Sequence, residues 1–539
     1  MKKQINAPIV IILIVLSLTI GIFWGSTATI KRMGNTALSP YLSGGKFTNK
    51  MEAIWSLIDR HYVDLLDNDT VMDRMYASML AALDPHSRYL SQQEIASEME
   101  SLRGNFEGVG IILRFINDTV RASQIIPEGP AEKAGLQAGD IILAVNGEPV
   151  SGVKMGNDEV VKKIRGPRKS IVDLKVKRPS EDGLRHFKVV RDVIETPSIS
   201  YSGMLDATTG YIRLTRFGES TLDEFRTSVS TLKKQGMQKM VLDLRNNSGG
   251  LLTAAIGICD ELLPGKEMIV YTEGAHQRKQ VERSHKGGLF DEGELIVMIN
   301  EYSASASEIV AGAIQDNDRG LVVGRRSFGK GLVQQRFELP DQSALLLTIA
   351  RYYTPSGRCI QRPYDRGSDE YYNDFIQQVI DGYVNDSLLS QITDSTPFYT
   401  TKGRVVYGGG GIYPDHSIGY KSDSNVVYYN QLISKNIVND YVFDLVSSRG
   451  QTIKKQYKTP ESFVSAYRVS DAMLEEIFNK AQQKGVDRNM RSIAKYKEDI
   501  RTYVKAEIAM MLYNTSSFYA LTIKNDPELQ EAVTYFKKK

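Results

Sequence analysis

Beyond Thr196 the chain alternates between two periods, and that alternation leaves few folds open. GYIRLTRF reads as a strand, TLDEFRTSVSTLKKQG as an amphipathic helix with a glycine stop, and KMVLDLR as a buried strand. A glycine turn then opens the helix LLTAAIGICDELL, and ELIVMIN is another buried strand. SASASEIVAGAIQD reads as a helix of small residues, and GLVVG, LVQQRFEL and SALLLTIARYY are further strands. Strands alternating with helices argue for an α/β core. At 539 residues the chain is too long for one core, so roughly two to four domains are expected.

The flanking text differs in kind. From about Lys50 to Leu102 apolar residues recur at three and four, among them Ile54, Leu57, Ile58 and Tyr62. LDPHS, Leu83 to Ser87, breaks that helical pattern, as Asp-Pro does. From Gly104 the runs FEGVGIILRF, TVRASQII and DIILAVNG are short and rich in β-branched residues. PEGPAEKAGLQAGD puts turn residues around one short helix, and SIVDLKVKR and RHFKVVRD add a strand pair, which makes a self-contained β-rich domain. From about Asp365 the sequence is mostly helical and polar, apart from the glycine turn YGGGGIYPD. The expected division is a signal anchor or transmembrane segment with linker at 1–40 and an N-terminal helical region at 41–103. The β-rich domain occupies 104–192, the α/β core 193–420 with a helical insertion at about 366–400, and a mostly helical region 421–539.

Charge narrows the partners. The formal net charge is +3, with 24% charged residues, which gives no electrostatic case for nucleic acid. Cys259 and Cys359 form neither a metal-ligand spacing nor a disulfide framework. Lys2 and Lys3 precede an uncharged stretch from Ile5 to Ile30 with the apolar centre IVIILIVLSLTIGIFW. Such a stretch is long enough to span a membrane and also has the form of a signal peptide. GSTATI contains no clean Ala-x-Ala cleavage site, which favours an uncleaved anchor over a secreted, cleaved form. Lys31 and Arg32 leave the orientation open by charge, but either reading puts the body outside the cytoplasm.

Two short segments carry the chemistry. GRRSFGKG, Gly324 to Gly331, misses a phosphate-binding loop by one residue, because Gly331 stands where the hydroxyl belongs. A strand pattern comes directly after Lys330, so no helix N-terminus faces a phosphate. NEYSASASEIVAG ends a buried strand and begins a helix, a junction that suits a nucleophile beside an oxyanion hole. The plainer reading of Ser305 and Glu308 is a helix capping box. None of the six histidines, His61, His86, His186, His276, His285 and His416, sits in a recognised triad setting. No His-Glu-x-x-His motif supports zinc hydrolysis. The alternative base is a lysine, desolvated so that its pKa falls, and FGKG offers one between small residues.

At this pair of motifs the sequence resembles the carboxyl-terminal processing proteases, or tail-specific proteases, of the S41 serine peptidase family. The resemblance implies a multidomain α/β fold: a crotonase-like S41 protease core with an inserted PDZ domain and helical N- and C-terminal regions. Within SASASE and FGKGLVQ it implies Ser305 as nucleophile, Lys330 as general base and Gln334 as the glutamine that orients the lysine. LDLRNNSGGL resembles the family's glycine loop, so the N–H of Gly249 or Gly250 would join that of Ala306 in the oxyanion hole. Ser248 stands where the family often has Pro or Gly, and Asp316 matches an acidic position that reads as structural. FEGVGI resembles the PDZ loop that receives a terminal carboxylate, which implicates Gly108, Val109, Gly110 and Ile111. A PDZ groove binds by adding an extended peptide to a sheet edge. Arg165 matches a position that couples PDZ placement to activity in some relatives.

The expected activity is therefore a serine endopeptidase with a Ser–Lys dyad and no cofactor or metal. Its expected partners are proteins with free C-terminal tails, the membrane, and a second copy or an adaptor. The competing readings are a catalytically silent PDZ scaffold and a crotonase-like acyl-transfer enzyme. The intact Ser305, Lys330 and Gln334 argue against the first, and the lack of a coenzyme A-binding feature against the second.

Overall fold

The computed structural model describes residues 46–116, 118–384, 396–419, 423 and 425–537. The expected anchor segment lies outside the described residues; among them, no helix is long and apolar enough to cross a membrane. The chain divides into two units, Met1–Tyr76 and Ala77–Lys539. In the first, the helix Lys46–His61 bears Ile54, Leu57 and Ile58, all exposed.

Within the second unit the β-rich domain is an antiparallel sheet. Its strands run in the order Ile111–Ile116, Thr119–Ile125, Ile141–Val145, Ile171–Lys177, Arg185–Val190. Alternation buries Val172, Leu174 and Val176 on one face, and the helix Asn157–Ile164 adds Val160 and Ile164 to the same core. Ile111–Ile116 pairs with one neighbour, so it is an edge strand. The domain leaves and rejoins the chain through Asn105–Gly108 paired with Asp192–Glu195.

The core is a six-stranded sheet in the order Ile199–Met204, Thr209–Leu214, Lys239–Asp243, Glu294–Ile299, Leu321–Gly324, His416–Ser417. The first pair is antiparallel and the rest are parallel. Parallel strands are covered on both faces, which is why their sequences run almost without polar residues. On one face Leu242, Val297 and Ile299 pack with Phe225, Ile258 and Val310 from the covering helices. On the other, the intervening Val241, Ile296 and Met298 take Ile523, Leu529, Ala532 and Phe536 from the C-terminal end.

A second sheet supplies the rest of the site. Ala344–Tyr353 pairs with Leu332–Glu338, with Met268–Gly274 and with the short strand Arg88–Leu90, all antiparallel. This pairing carries the residues just before Arg88 to the strand that comes after Lys330. The region after Asp365 contains the expected helix, Ser368–Val384. It also returns to strands at Pro397–Tyr399, Val405–Tyr407 and His416–Ser417, which are too short to leave an alternating signal. The helices from Val426–Ser434 to Thr515–Thr522 come next, most of them built around a core of their own.

Candidate active site

Ser305 stands where the strand Glu294–Ile299 gives way to the helix Ala306–Asp316. Every residue of that helix is buried, which its small side chains permit. Ser305 has φ 55° and ψ −113°, a conformation that residues with a Cβ rarely adopt and that neighbouring structure must hold in place. The Glu308 carboxylate accepts from the Ser305 N–H at 2.8 Å, so that half of the capping box forms. The Glu308 N–H, however, donates to the Ser305 carbonyl at 2.8 Å, and the serine side chain makes no helix-cap hydrogen bond.

The glycine loop lies directly against this turn. A Cβ on Gly249 would come within 2.8 Å of Ala304 O, 2.9 Å of Ser305 Cβ and 3.0 Å of Ala306 N, and its φ is 102°. Asn247 ties the two segments together: its carbonyl accepts from the Ala304 N–H at 3.0 Å and from Ser307 Oγ at 2.8 Å. The Asn247 side-chain oxygen also takes the Gly249 N–H, at 2.9 Å. Among the described residues no hydrogen bond occupies the N–H of Gly250 or of Ala306.

Lys330 approaches from the neighbouring loop. Glycine is required on both sides of it. A Cβ on Gly329 would come within 2.6 Å of the Arg362 side chain, and one on Gly331 within 2.9 Å of Gln361 N. The strand Leu332–Glu338 comes next, as the failed phosphate-loop reading requires. Lys330 Nζ donates to Gln334 Oε1 at 2.8 Å, and Gln334 Nε2 donates to the His86 carbonyl. Burial holds the Lys330 amine below the usual lysine range, and the positive charge of Arg88 adds to the effect.

One buried carboxylate binds the serine and lysine segments to each other. Glu308 Oε2 accepts from the N–H groups of Ser305 at 2.8 Å and Lys330 at 2.9 Å. Its Oε1 accepts from the Gly329 N–H at 2.7 Å and Ser327 Oγ at 2.6 Å. Burial pushes this carboxyl up to about 7, against the pull of those donors. The buried Tyr352 adds a second tie, its hydroxyl meeting the carbonyls of Ser305 at 3.1 Å and Lys330 at 2.5 Å.

His86 was not singled out by sequence reasoning. Its Asp-Pro context marks a turn, and nothing local links it to residues 305 or 330. The Asp84 carboxylate folds the turn by accepting the N–H groups of His86 and Ser87, each at 2.8 Å. His86 and Lys330 line a cavity of about 540 Å³ together with Tyr302, Ala304, Phe328 and Phe375. Burial first, and the Lys330 charge second, lower the His86 ring to about 4, so it is neutral near pH 7. His86 Nε2 lies 3.1 Å from the Tyr371 hydroxyl on the helix Ser368–Val384.

The remaining predicted residues lie on the β-rich domain. Val109 is buried and its carbonyl accepts from the Ala131 N–H at 2.8 Å. Gly110 has φ 77° and accepts from the Ile126 N–H at 2.9 Å. Gly108 ends one strand, and Ile111 begins the edge strand. Arg165 is exposed; its guanidinium pairs with Glu100 at 2.7 Å and lies 4.5 Å from the Phe106 ring centre. Asp316, read as structural, is fully buried in an ion pair with the equally buried Arg358 at 2.6 Å. Among the described residues no group of three or more His, Cys, Asp or Glu could hold a metal ion.

Three family models match parts of the chain. The peptidase family S41 model matches residues 208–366, a PDZ domain model matches 121–178, and a family of unknown function matches 428–514. The carboxy-terminal-processing protease of Bartonella bacilliformis is 38% identical over 313 residues, covering 57% of this chain and 71% of that protein. The carboxyl-terminal-processing protease of Picosynechococcus sp. is 41% identical over 286 residues, covering 51% of this chain and 67% of that protein. Among solved structures, a photosystem II D1 C-terminal processing protease is 28% identical, covering 59% of this chain and 90% of that one, with a TM-score of 0.34. On the strength of the two sequence relatives, the chain belongs to peptidase family S41, among its carboxy-terminal-processing serine proteases, and carries their PDZ domain.

Proposed function

We propose that the protein is an endopeptidase in which Ser305 is the nucleophile and Lys330 the general base. Neutral Lys330 takes the proton of Ser305 Oγ as that oxygen attacks the scissile carbonyl carbon. The tetrahedral oxyanion is received by the unoccupied N–H groups of Ala306 and Gly250, while Gly249 provides the space between them. The lysine ammonium then gives its proton to the departing amine, and water hydrolyses the acyl-serine with the same lysine as base. The observation that carries this reading is the lysine itself: an amine held by Gln334, with a pKa lowered by burial, on a loop cross-linked to Ser305 through Glu308.

Substrates are proteins outside the cytoplasm that present a free C-terminal tail. The open edge of Ile111–Ile116 suits an added peptide strand, with the loop Gly108–Ile111 receiving the terminal carboxylate. Arg165, through Glu100, joins this domain to the helix Gln92–Arg103 and so couples tail capture to the site. The aromatic cavity beside Lys330 suits an apolar substrate side chain. The N-terminal segment takes the body to the periplasmic side of the inner membrane, as an anchor or as a signal that is cleaved to release it there.

The test uses an unfolded protein with an apolar C-terminal tail, compared with the same protein carrying a C-terminal amide. The free tail is expected to be cut faster, with the difference in KM. Equal rates would remove the tail-capture reading, and no cleavage of either would remove the peptidase reading for such substrates.

A further inference from the structure

The C-terminal end of the chain reaches the loops of the candidate site through two carboxylates. The segment Pro527–Ala532 is capped by Asp526, whose Oδ1 accepts from the N–H groups of Glu528 and Leu529. The other oxygen, Oδ2, accepts from Arg245 Nη2 at 2.6 Å. Glu528 spans two arginines: Oε2 accepts from Arg245 Nη1 at 2.8 Å and Oε1 from Arg325 Nη1 at 2.6 Å.

Those arginines stand at the carboxyl ends of parallel strands, where the site loops begin. Arg245 comes after Lys239–Asp243, within the glycine-loop segment LDLRNNSGGL and ahead of its glycines. Arg325 comes after Leu321–Gly324 and opens the loop that carries Lys330. Glu301, just after the strand that leads to Ser305, accepts from Arg325 Nε at 2.9 Å. One cluster therefore touches all three loops of the site.

The charges in the cluster need the C-terminal pair. Arg213 and Arg245 are joined to Asp243, and Arg245 and Arg325 to Asp526, Glu528 and Glu301, which among these described pairs sets three cations against four anions. Without Asp526 and Glu528 the balance is three against two. Arg245 and Arg325 have side chains only 8% and 10% exposed. A buried guanidinium cannot shed its proton, so without Asp526 and Glu528 the N–H groups that faced them must turn toward water or another partner. Asp243 still holds Arg245 and Glu301 still holds Arg325, but the two loops lose the link between them. Packing of the segment is a separate matter, since its Leu529 and Ala532, with Phe536 just after it, pack on the sheet with Val241, Ile296 and Met298.

We propose that Asp526 and Glu528 are positioning residues for the peptidase site: a C-terminal clamp that sets the glycine loop and the lysine loop at their working separation. The proposal rests on the Ser305–Lys330 reading above. It gives the chain end, which lies beyond all three matched families, a part in catalysis.

The full chain is compared with Glu528→Gln and with Asp526→Asn/Glu528→Gln on a short peptide, measuring kcat, KM and the folded fraction. The expected result is a kcat lowered roughly tenfold to a hundredfold at unchanged KM, larger in the double variant, with the chains folded. An unchanged kcat overturns the clamp, as does a loss accounted for entirely by unfolded chain. If the double variant does not fold, Glu528→Gln alone decides, because it keeps the Asp526 contacts. Ser305→Ala run alongside separates the two claims. Cleavage by that variant removes the dyad and the clamp together, whereas dyad-dependent cleavage with unchanged kcat in the clamp variants removes the clamp alone.

Discussion

Lys330 Nζ donates to Gln334 Oε1 at 2.8 Å, and the other end of the same amide donates to the carbonyl of His86. An amide has one accepting and one donating end, so the bond to His86 fixes which end faces the lysine. Gln334→Glu replaces the donor with a second acceptor against the His86 carbonyl, and its charge holds the proton on Lys330. We expect kcat to fall by about a hundredfold with little change in KM. A variant that keeps the wild-type kcat would show that the amide does not orient the base.

The pH–rate profile reports the same lysine. Burial lowers its pKa, with Arg88 as the leading charge acting in the same direction and Glu98 opposing it. Activity should therefore rise with pH along a limb that lies below the usual lysine range. Arg88→Gln removes the leading positive charge and frees Glu98 from its 3.2 Å ion pair, and both effects raise the lysine pKa. The limb should move to higher pH in this variant; a limb that stays put or moves lower would contradict Lys330 as the titrating base.

Gly249 tests the oxyanion arrangement. Its missing Cβ leaves the space against Ser305 Cβ and Ala306 N, and its φ of 102° strains any other residue. Gly249→Ala should lower kcat by roughly a hundredfold to a thousandfold, the scale of losing one oxyanion donor. Binding of a tail peptide, measured by fluorescence anisotropy, should be unaffected, because the β-rich domain has its own core.

Glu308 links stability to pH. Its folded value of about 7 lies above the unfolded value near 4.5. Between the two, the folded chain keeps a proton that the unfolded chain has released. The contribution of this group is therefore full below that window and declines as pH rises through it. Glu308→Gln should flatten that part of the stability curve. It also offers one acceptor oxygen where the carboxylate has two, each with two donors, and should cost about 2–4 kcal/mol in denaturant unfolding near pH 7.5.

Local pattern carried much of this site. The buried strands Lys239–Asp243 and Glu294–Ile299 are legible because parallel strands covered on both faces must be apolar throughout. Ser305 and Lys330 are legible because each lies in a short motif bounded by small residues. His86 was not, since its carbonyl and Gln334, which hydrogen-bond in the fold, lie 248 residues apart in the chain. The turn Leu83–Ser87 by itself signals only a helix break. Asp526 and Glu528 were missed for the same reason: at the start of a helix they read as a cap and a favourable end charge, and the arginines they hold lie far back in the sequence.

The dyad is tested most directly by the initial rate at which the full chain cuts an unfolded, tail-bearing protein, measured side by side for wild type, Ser305→Ala and Lys330→Ala. With nucleophile and base acting as one unit, either substitution alone should lower the rate by at least about a thousandfold while both chains remain folded. Cleavage by either variant at the wild-type rate would contradict the assignment of Ser305 and Lys330.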